Sequence, residues 1–338
     1  MGRVLLEDST QCRLHEKLAE AFKGSGGSAS NSAVKIDLIY EVLHQTLVEV
    51  HLRHGKTADQ GRALAIMPHL QANDLVVRDL GYFSLESLRK IGANGAWYLS
   101  RLSKGVEVYI ESSAQADAVV LVDYLQQHYP DDTVIDQPVY IGQERLPCRL
   151  LAYRLPADVV AQRRRKASAE ARKKGRMLTQ EYLNWLAFGW YITNVSQQVW
   201  ASKVVGTVYR LRWQVELTFK IWKSLLNIHV LKGTRPERIQ CILYGRLITI
   251  TLMTLIASYA SWYAEDHLQR EISIPQLINW LKRQGRFAKA LHLGTLDALF
   301  IDLWRALPQL LCKQKRRRQT SRQLMEDYGY YMEVALVA

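Results

Sequence analysis

The stretch YRLRWQVELTFKIWK, residues 209–223, sets four polar side chains among large apolar ones. On an α-helix at about 100° per residue, with Tyr209 as zero, Arg212 falls at about 300°, Glu216 at about 340° and Lys223 at about 320°. The stripe they make runs for about 21 Å, from 14 steps (223 − 209) of roughly 1.5 Å. Trp213, Leu217, Phe219, Ile221 and Trp222 cover much of the remaining circumference, so the helix is expected to be well buried. Burying charge without partners is costly. The stripe therefore needs a ligand or an internal ion-pair seam, which Glu216 could make with Arg212 or Lys220 at i,i+4 spacing. Helix geometry by itself leaves both open.

Working outward, composition narrows the classes. The chain has 338 residues, 48% of them hydrophobic, enough for one large domain or two ordinary ones with a real core. Its formal charge of +13, from 45 Lys+Arg against 32 Asp+Glu, suits a polyanionic partner such as nucleic acid. A merely soluble basic protein would read the same way. Cys12, Cys148, Cys241 and Cys312 are scattered, which argues against a zinc ribbon or disulfide framework and fits a reducing cytosol. MGRVLLEDST lacks the basic-then-apolar layout of a signal peptide. LITITLMTLIASYASWYA (247–264) approaches membrane-span length, but its Thr and Ser residues favour a buried core helix.

The first 103 residues read as alternating strands and helices. RVLLED (3–8) is a short strand ending in acid. KIDLIYEV (35–42) and LVEVHLRHG (47–55) alternate with period two and make a hairpin. TADQGRALAIMPHL (57–70) is expected to be helical, DLVVRD (74–79) a strand ending in acid, SLESLRKIG (84–92) a helix and AWYLSRLS (96–103) a fifth strand. These make a mixed sheet with helices on its faces. Residues 104–180 read as a β-rich insertion, with strand-like runs at VEVYIES, AVVLVDYL, TVIDQPVYIG and LPCRLLAYRL, followed by the basic helix RRRKASAEARKKGR (163–176). The core resumes over 181–262, and a helical basic region covers 263–338, including KQKRRRQTSR (313–322).

Several candidate sites can be weighed on residues alone. HGKT (54–57) is no phosphate-binding loop, because the position five before Gly55 is Val50. GSGGSAS (24–30) reads as a flexible link. His51 and His54 have no third ligand nearby in sequence. Asp8 and Asp79 each close an apolar strand, where side chains face the crevice of an open sheet. Such an Asp is often only the cap of the next turn, and Asp123 shows how common the pattern is, while Asp74 and Asp37 are further candidates at strand starts or interiors. If Asp8, Asp79 and Glu216 converge, three oxygen donors would suit two Mg²⁺ ions, which can activate a hydroxyl and stabilise the departing oxygen of a phosphodiester. Arg212, Tyr209 and Lys223 could then hold neighbouring phosphates.

At this point the residues resemble a known family. Tyr209, Arg212, Glu216 and Lys223 stand at the Y-(2)-R-(3)-E-(6)-K spacing of the insertion-sequence-four type of bacterial DDE transposases. EDSTQ (7–11), GSGGSASNSAVKIDLIYEV (24–42), RDLGYFSLESL (78–88) and YITNVS (191–196) resemble the blocks around the family's acids. The gaps, 79 − 8 = 71 and 216 − 79 = 137, leave room for an insertion in the second.

The resemblance implies an RNase H-like α/β fold with a β-rich insertion between the fifth strand and the glutamate helix. It implies Asp8, Asp79 and Glu216 as catalytic ligands of two Mg²⁺ ions, with Mn²⁺ a plausible substitute, and Tyr209, Arg212 and Lys223 as DNA contacts. The expected activity is transposon-end cleavage and strand transfer on double-stranded DNA, by a cytoplasmic, nucleoid-associated dimer on paired ends. The basic segments 163–176 and 313–322 would track DNA backbone. A metal-dependent nuclease without strand transfer and an inactive DNA-binding relative are the alternatives. The family's usual helical N-terminal region is expected to be missing, since Met1 stands two residues before the first strand.

Overall fold

A computed structural model describes residues 2–27 and 30–311, so Cys312 and the basic run 313–322 lie outside the described residues. Along the chain come β1 (Val4–Arg13), β2 (Ala33–Glu41), β3 (Thr46–His54), β4 (Leu75–Arg78), α1 (Leu85–Ala93), β5 (Trp97–Arg101) and β6 (Val108–Tyr109). Next are α2 (Leu121–His128), β7 (Val134–Ile141), β8 (Leu146–Arg154), α3 (Ala157–Lys173), α4 (Gln180–Trp185), β9 (Phe188–Thr193) and α5 (Ser202–Tyr209). A 3-10 turn at Arg210–Arg212 leads into α6 (Trp213–Ser224), α7 (Pro236–Leu268), α8 (Ile274–Lys282), α9 (Arg286–Leu293) and α10 (Leu296–Ala306). The described chain forms two compact units, residues 2–4 with 59–212, and residues 5–58 with 213–311.

In the first unit β4 and β5 are parallel, joined through α1, and β5, β9, β8, β7 and β6 follow as antiparallel neighbours. The Arg3 guanidinium and amide grip the buried Asp74 carboxylate just before β4, at 2.6 and 3.0 Å. Thr193 and Asn194, from the YITNVS block, lock the end of β9 to β5. The Thr193 hydroxyl donates to Tyr98 O at 2.6 Å, while the Asn194 amide accepts from Tyr98 N and donates to Ala96 O at 2.8 and 2.9 Å. The Asn side chain thus replaces a missing length of ladder.

In the second unit β1, β2 and β3 form an antiparallel meander, with a bulge at Ile39/Tyr40. Ser258 of α7 donates to His44 O at 2.6 Å at the β2–β3 turn, tying the long helix to the hairpin. A helical core gathers Ala260, Leu277, Leu281, Leu303 and Leu307, all essentially inaccessible. Parallel and antiparallel pairings with flanking helices give the mixed α/β class expected, with further strands and helices between β5 and α6.

Five expectations are corrected. Asp8 does not end its strand: β1 runs on to Arg13 because β2 supplies partners for the polar stretch, with Asp8 opposite Leu38 and Ser9 opposite Asp37. A partner strand overrides weak intrinsic preference. AVVLVDYL is not a strand; α2 covers most of it, burying Leu121, Val122 and Leu125 on one helical face. Residues 57–70 form two short 3-10 turns, at Asp59–Arg62 and Met67–His69, where Gly61 and Pro68 disfavour a regular helix. The striped segment is not one uniform helix, since the 3-10 turn splits it; Val205, Val208 and Leu211 are buried at every third position, the spacing such a turn keeps on one face. Trp213 is 51% exposed rather than buried, because α6 turns Val215, Phe219 and Trp222 inward.

The apolar segment 247–264 lies within α7, the one described helix long and apolar enough to cross a membrane. A third of its most apolar window is buried, among it Ile250, Met253, Ile256 and Ala257. The core-helix reading therefore holds for one face, while Ile248, Leu255, Tyr259 and Trp262 are exposed.

Candidate active site

In the second unit, Asp8, Ser9 and Thr10 of β1 and Glu216, Lys220 and Lys223 of α6 line one cleft of about 410 Å³, with Phe219, Ser224 and His229 completing it. Glu216, Lys220 and Lys223 stand at i, i+4 and i+7, one face of α6 spanning about 10.5 Å. This part of the predicted stripe survives as a surface. Asp8 is half-buried and accepts the Ser9 amide on Oδ1 at 2.8 Å. Two carboxylates and two ammonium groups on one cleft can position a hard cation beside a polyanion.

Asp79 and Tyr209 belong to the first unit. Asp79 follows β4 and opens the 3-10 turn Leu80–Tyr82, yet its side chain makes no cap hydrogen bond there. The bland reading of a strand-end Asp as a turn cap therefore fails here. The Tyr209 hydroxyl donates to Asp79 Oδ1 at 3.4 Å. Tyr209 is 8% exposed, meets Tyr191 edge-on at 4.9 Å and lies under the Arg101 guanidinium, 5.8 Å from its ring centre. Burial first, and then the charge of Asp79, hold its phenol well above the usual value, so it stays a donor. Arg212 closes the 3-10 turn of that unit, half-buried.

Among the described residues no three His, Cys, Asp or Glu side chains gather as a ready metal cage. The pair on the cleft, Asp8 and Glu216, nevertheless fits a hard divalent ion. Such ions take one or two carboxylates, keep several waters and accept substrate phosphate oxygens as the remaining ligands. Lys220 enters from sequence only as an i,i+4 partner of Glu216, and His229 and Arg101 do not stand out at all. His229 lies beyond the signature, and Arg101 ends a strand like many others, so neither carries a local signal.

The decisive comparison is with known families. A family model described as a transposase DDE domain matches residues 1–252. The chain belongs to the DDE transposases. The resemblance drawn from the sequence is borne out at the level of the family, and membership implies dependence on a divalent metal ion. Among similar DDE transposases, that of insertion sequence IS231C from Bacillus thuringiensis subsp. berliner is 32% identical over 262 residues, 73% of this chain and 55% of that protein. That of IS1151 from Clostridium perfringens is 29% identical over 285 residues, 80% of this chain and 60% of that protein. The chain thus spans just over half the length of these curated relatives. A solved piggyBac transposase synaptic complex with hairpin DNA overlaps it at TM-score 0.47 and 10% identity, over 95% of this chain and 60% of that one. So distant a likeness carries no weight here.

Proposed function

We propose that this chain is the catalytic core of a DNA transposase that cleaves transposon ends and joins them to target DNA. One observation carries the reading: Asp8 and Glu216, 208 positions apart (216 − 8), line a single cleft with Lys220 and Lys223. In this reading Asp8, Asp79 and Glu216 are the catalytic acids and Mg²⁺ ligands. Two Mg²⁺ ions, with Mn²⁺ as a substitute, would supply an activated hydroxyl and stabilise the departing oxygen.

The chain's own groups do the rest. Asp8 is oriented by the Ser9 amide. Tyr209 donates to Asp79 and holds that carboxylate's rotamer. Lys223, with Lys220, presents point charges to phosphate oxygens beside Glu216. Arg212 offers a planar fork to a further phosphate, while the Tyr209 hydroxyl serves Asp79 instead of a phosphate. The substrates are inverted-repeat ends and target duplex, engaged by a dimer in the cytoplasm, at the nucleoid.

The test incubates the full chain with end duplexes and a target plasmid in Mg²⁺. Cleaved ends and joined product are expected. Asp8→Asn, Asp79→Asn and Glu216→Gln should each reduce product about 100-fold or more, since several kcal/mol of charge stabilisation disappear. Cleavage without joining would assign the chain to nucleases instead. Unaltered rates in the three variants would sink the assignment of the acids.

A further inference from the structure

The basic helix α3 presents two different faces. Val160, Arg163, Arg164, Ala167 and Ala171 are at least half-buried, recurring at helical spacing. The two inward arginines are tied down: Arg163 Nη1 donates to Phe188 O at 3.1 Å and Arg164 Nε to Leu183 O at 3.0 Å. They anchor α3 to α4 and β9, so their charge is held against backbone carbonyls of this unit.

The opposite face is different. Arg165, Lys166, Arg172 and Lys173 are exposed, and no side chain of the four has an ion-pair or hydrogen-bond partner among the described residues. At about 100° per residue they fall within about 120° of arc. Arg172 and Lys173 also suit the negative end of their own helix. Arg165 and Lys166 sit mid-helix, where no dipole explains them. The next segment adds exposed Lys174 and Arg176. Glu170 is the one acid within four residues of these cations, so the face keeps a net positive charge for an anion to meet.

We propose that this outer face of α3 is a sequence-independent site for the backbone of duplex DNA, made of residues none of which lines the cleft of Asp8 and Glu216. Arg165 and Arg172 are about 10.5 Å apart along the helix, and that length of duplex carries about six phosphate charges, one per roughly 1.7 Å. Four unpaired cations match such a target. The proposal deepens the transposase reading and rests on it only for the identity of the polyanion.

The experiment measures binding of the full chain to a labelled duplex of arbitrary sequence, without divalent metal, across a salt series. Arg165→Gln with Lys166→Gln is compared with Arg89→Gln with Lys90→Gln, two exposed cations of α1 that pair with Glu144 and Glu86. Both double variants lower the formal charge equally, 13 − 2 = +11. The α3 pair is expected to flatten the slope of log affinity against log salt by about 1.8, two contacts at about 0.9 each. The wild-type advantage then shrinks about tenfold between about 50 and 200 mM salt. The α1 pair should leave the slope unchanged.

Equal losses in both pairs would reduce the effect to net charge and overturn the proposal. Tighter binding to phosphatidylglycerol vesicles than to duplex, abolished by the α3 pair, would assign the face to a membrane and overturn it too. Melting temperatures within a few degrees of wild type keep misfolding out of the comparison. Duplex binding through α3 with no cleavage under any metal would count against the transposase reading and leave this one standing.

Discussion

The Tyr209 hydroxyl points at the Asp79 carboxylate, 3.4 Å away and 130 positions earlier in the chain. A buried phenol aimed at a catalytic-candidate acid is better placed to orient that acid than to reach a ligand. Tyr209→Phe should therefore slow end cleavage about fivefold, the value of roughly 1 kcal/mol for a long hydrogen bond to a charged group. The Kd for end DNA should stay within about twofold. A DNA contact would show the reverse, with Kd weakened and the rate on saturating DNA preserved, and paired Kd and single-turnover measurements distinguish the two.

Asn194 gives a stability prediction. Its amide satisfies Tyr98 N and Ala96 O, both inside the first unit. Asn194→Ala leaves two backbone groups without that partner and should cost about 2 kcal/mol in chemical denaturation. Asn194→Asp keeps the acceptor alone and should fall between. Equal stability of all three proteins would show that the ladder closes without this side chain.

The Arg149–Asp136 pair lies between β7 and β8, with side chains about one tenth exposed and contacts at 2.5 and 2.7 Å. Arg149 also donates to Val195 O and Ser196 O, each at 3.2 Å. Removing one partner strands the other's charge, so Asp136→Ala should destabilise by about 3–5 kcal/mol. Replacing both with apolar residues should recover much of that. Urea midpoints of the two single variants and the double variant measure the difference.

The cysteines yield a pH dependence. Burial pushes the Cys12 thiol up from its ordinary value near 9 to about 11, and that of Cys148 to about 12, while Cys241 is exposed. In native protein at neutral pH, Cys241 should alkylate promptly and the other two only on unfolding. For stability the sign follows from the raised folded values. The contribution is complete below pH 9 and is lost as pH rises toward 11–12, where unfolded thiolates are already favoured. Denaturation midpoints across that window, compared with Cys148→Ala, check the direction.

Much of this molecule could be read from periodicity. The β2–β3 hairpin follows from period-two alternation, and Asp79 from an apolar strand that stops at an acid. The signature pointed correctly to Glu216 and Lys223 as neighbours on one surface. It did not reveal the 3-10 turn at Arg210–Arg212, because a turn that tightens three residues leaves the apolar pattern almost unchanged. Nor did it show Asp8 inside its strand, since the continuation depends on β2, supplied twenty residues later in the sequence (Ala33 follows Arg13). His229 is on the cleft through folding alone.

The walls of that cleft come from residues 8–10 and 216–229. At about 5–20 residues per second, a ribosome needs roughly 10 to 40 seconds to pass from one to the other. During that interval β1, with Asp8, has been made and the opposite wall has not. Until α6 is made, with Glu216 208 positions after Asp8 (216 − 8), the cleft has one wall only. A fragment that stops before α6 lacks the second wall of the cleft altogether.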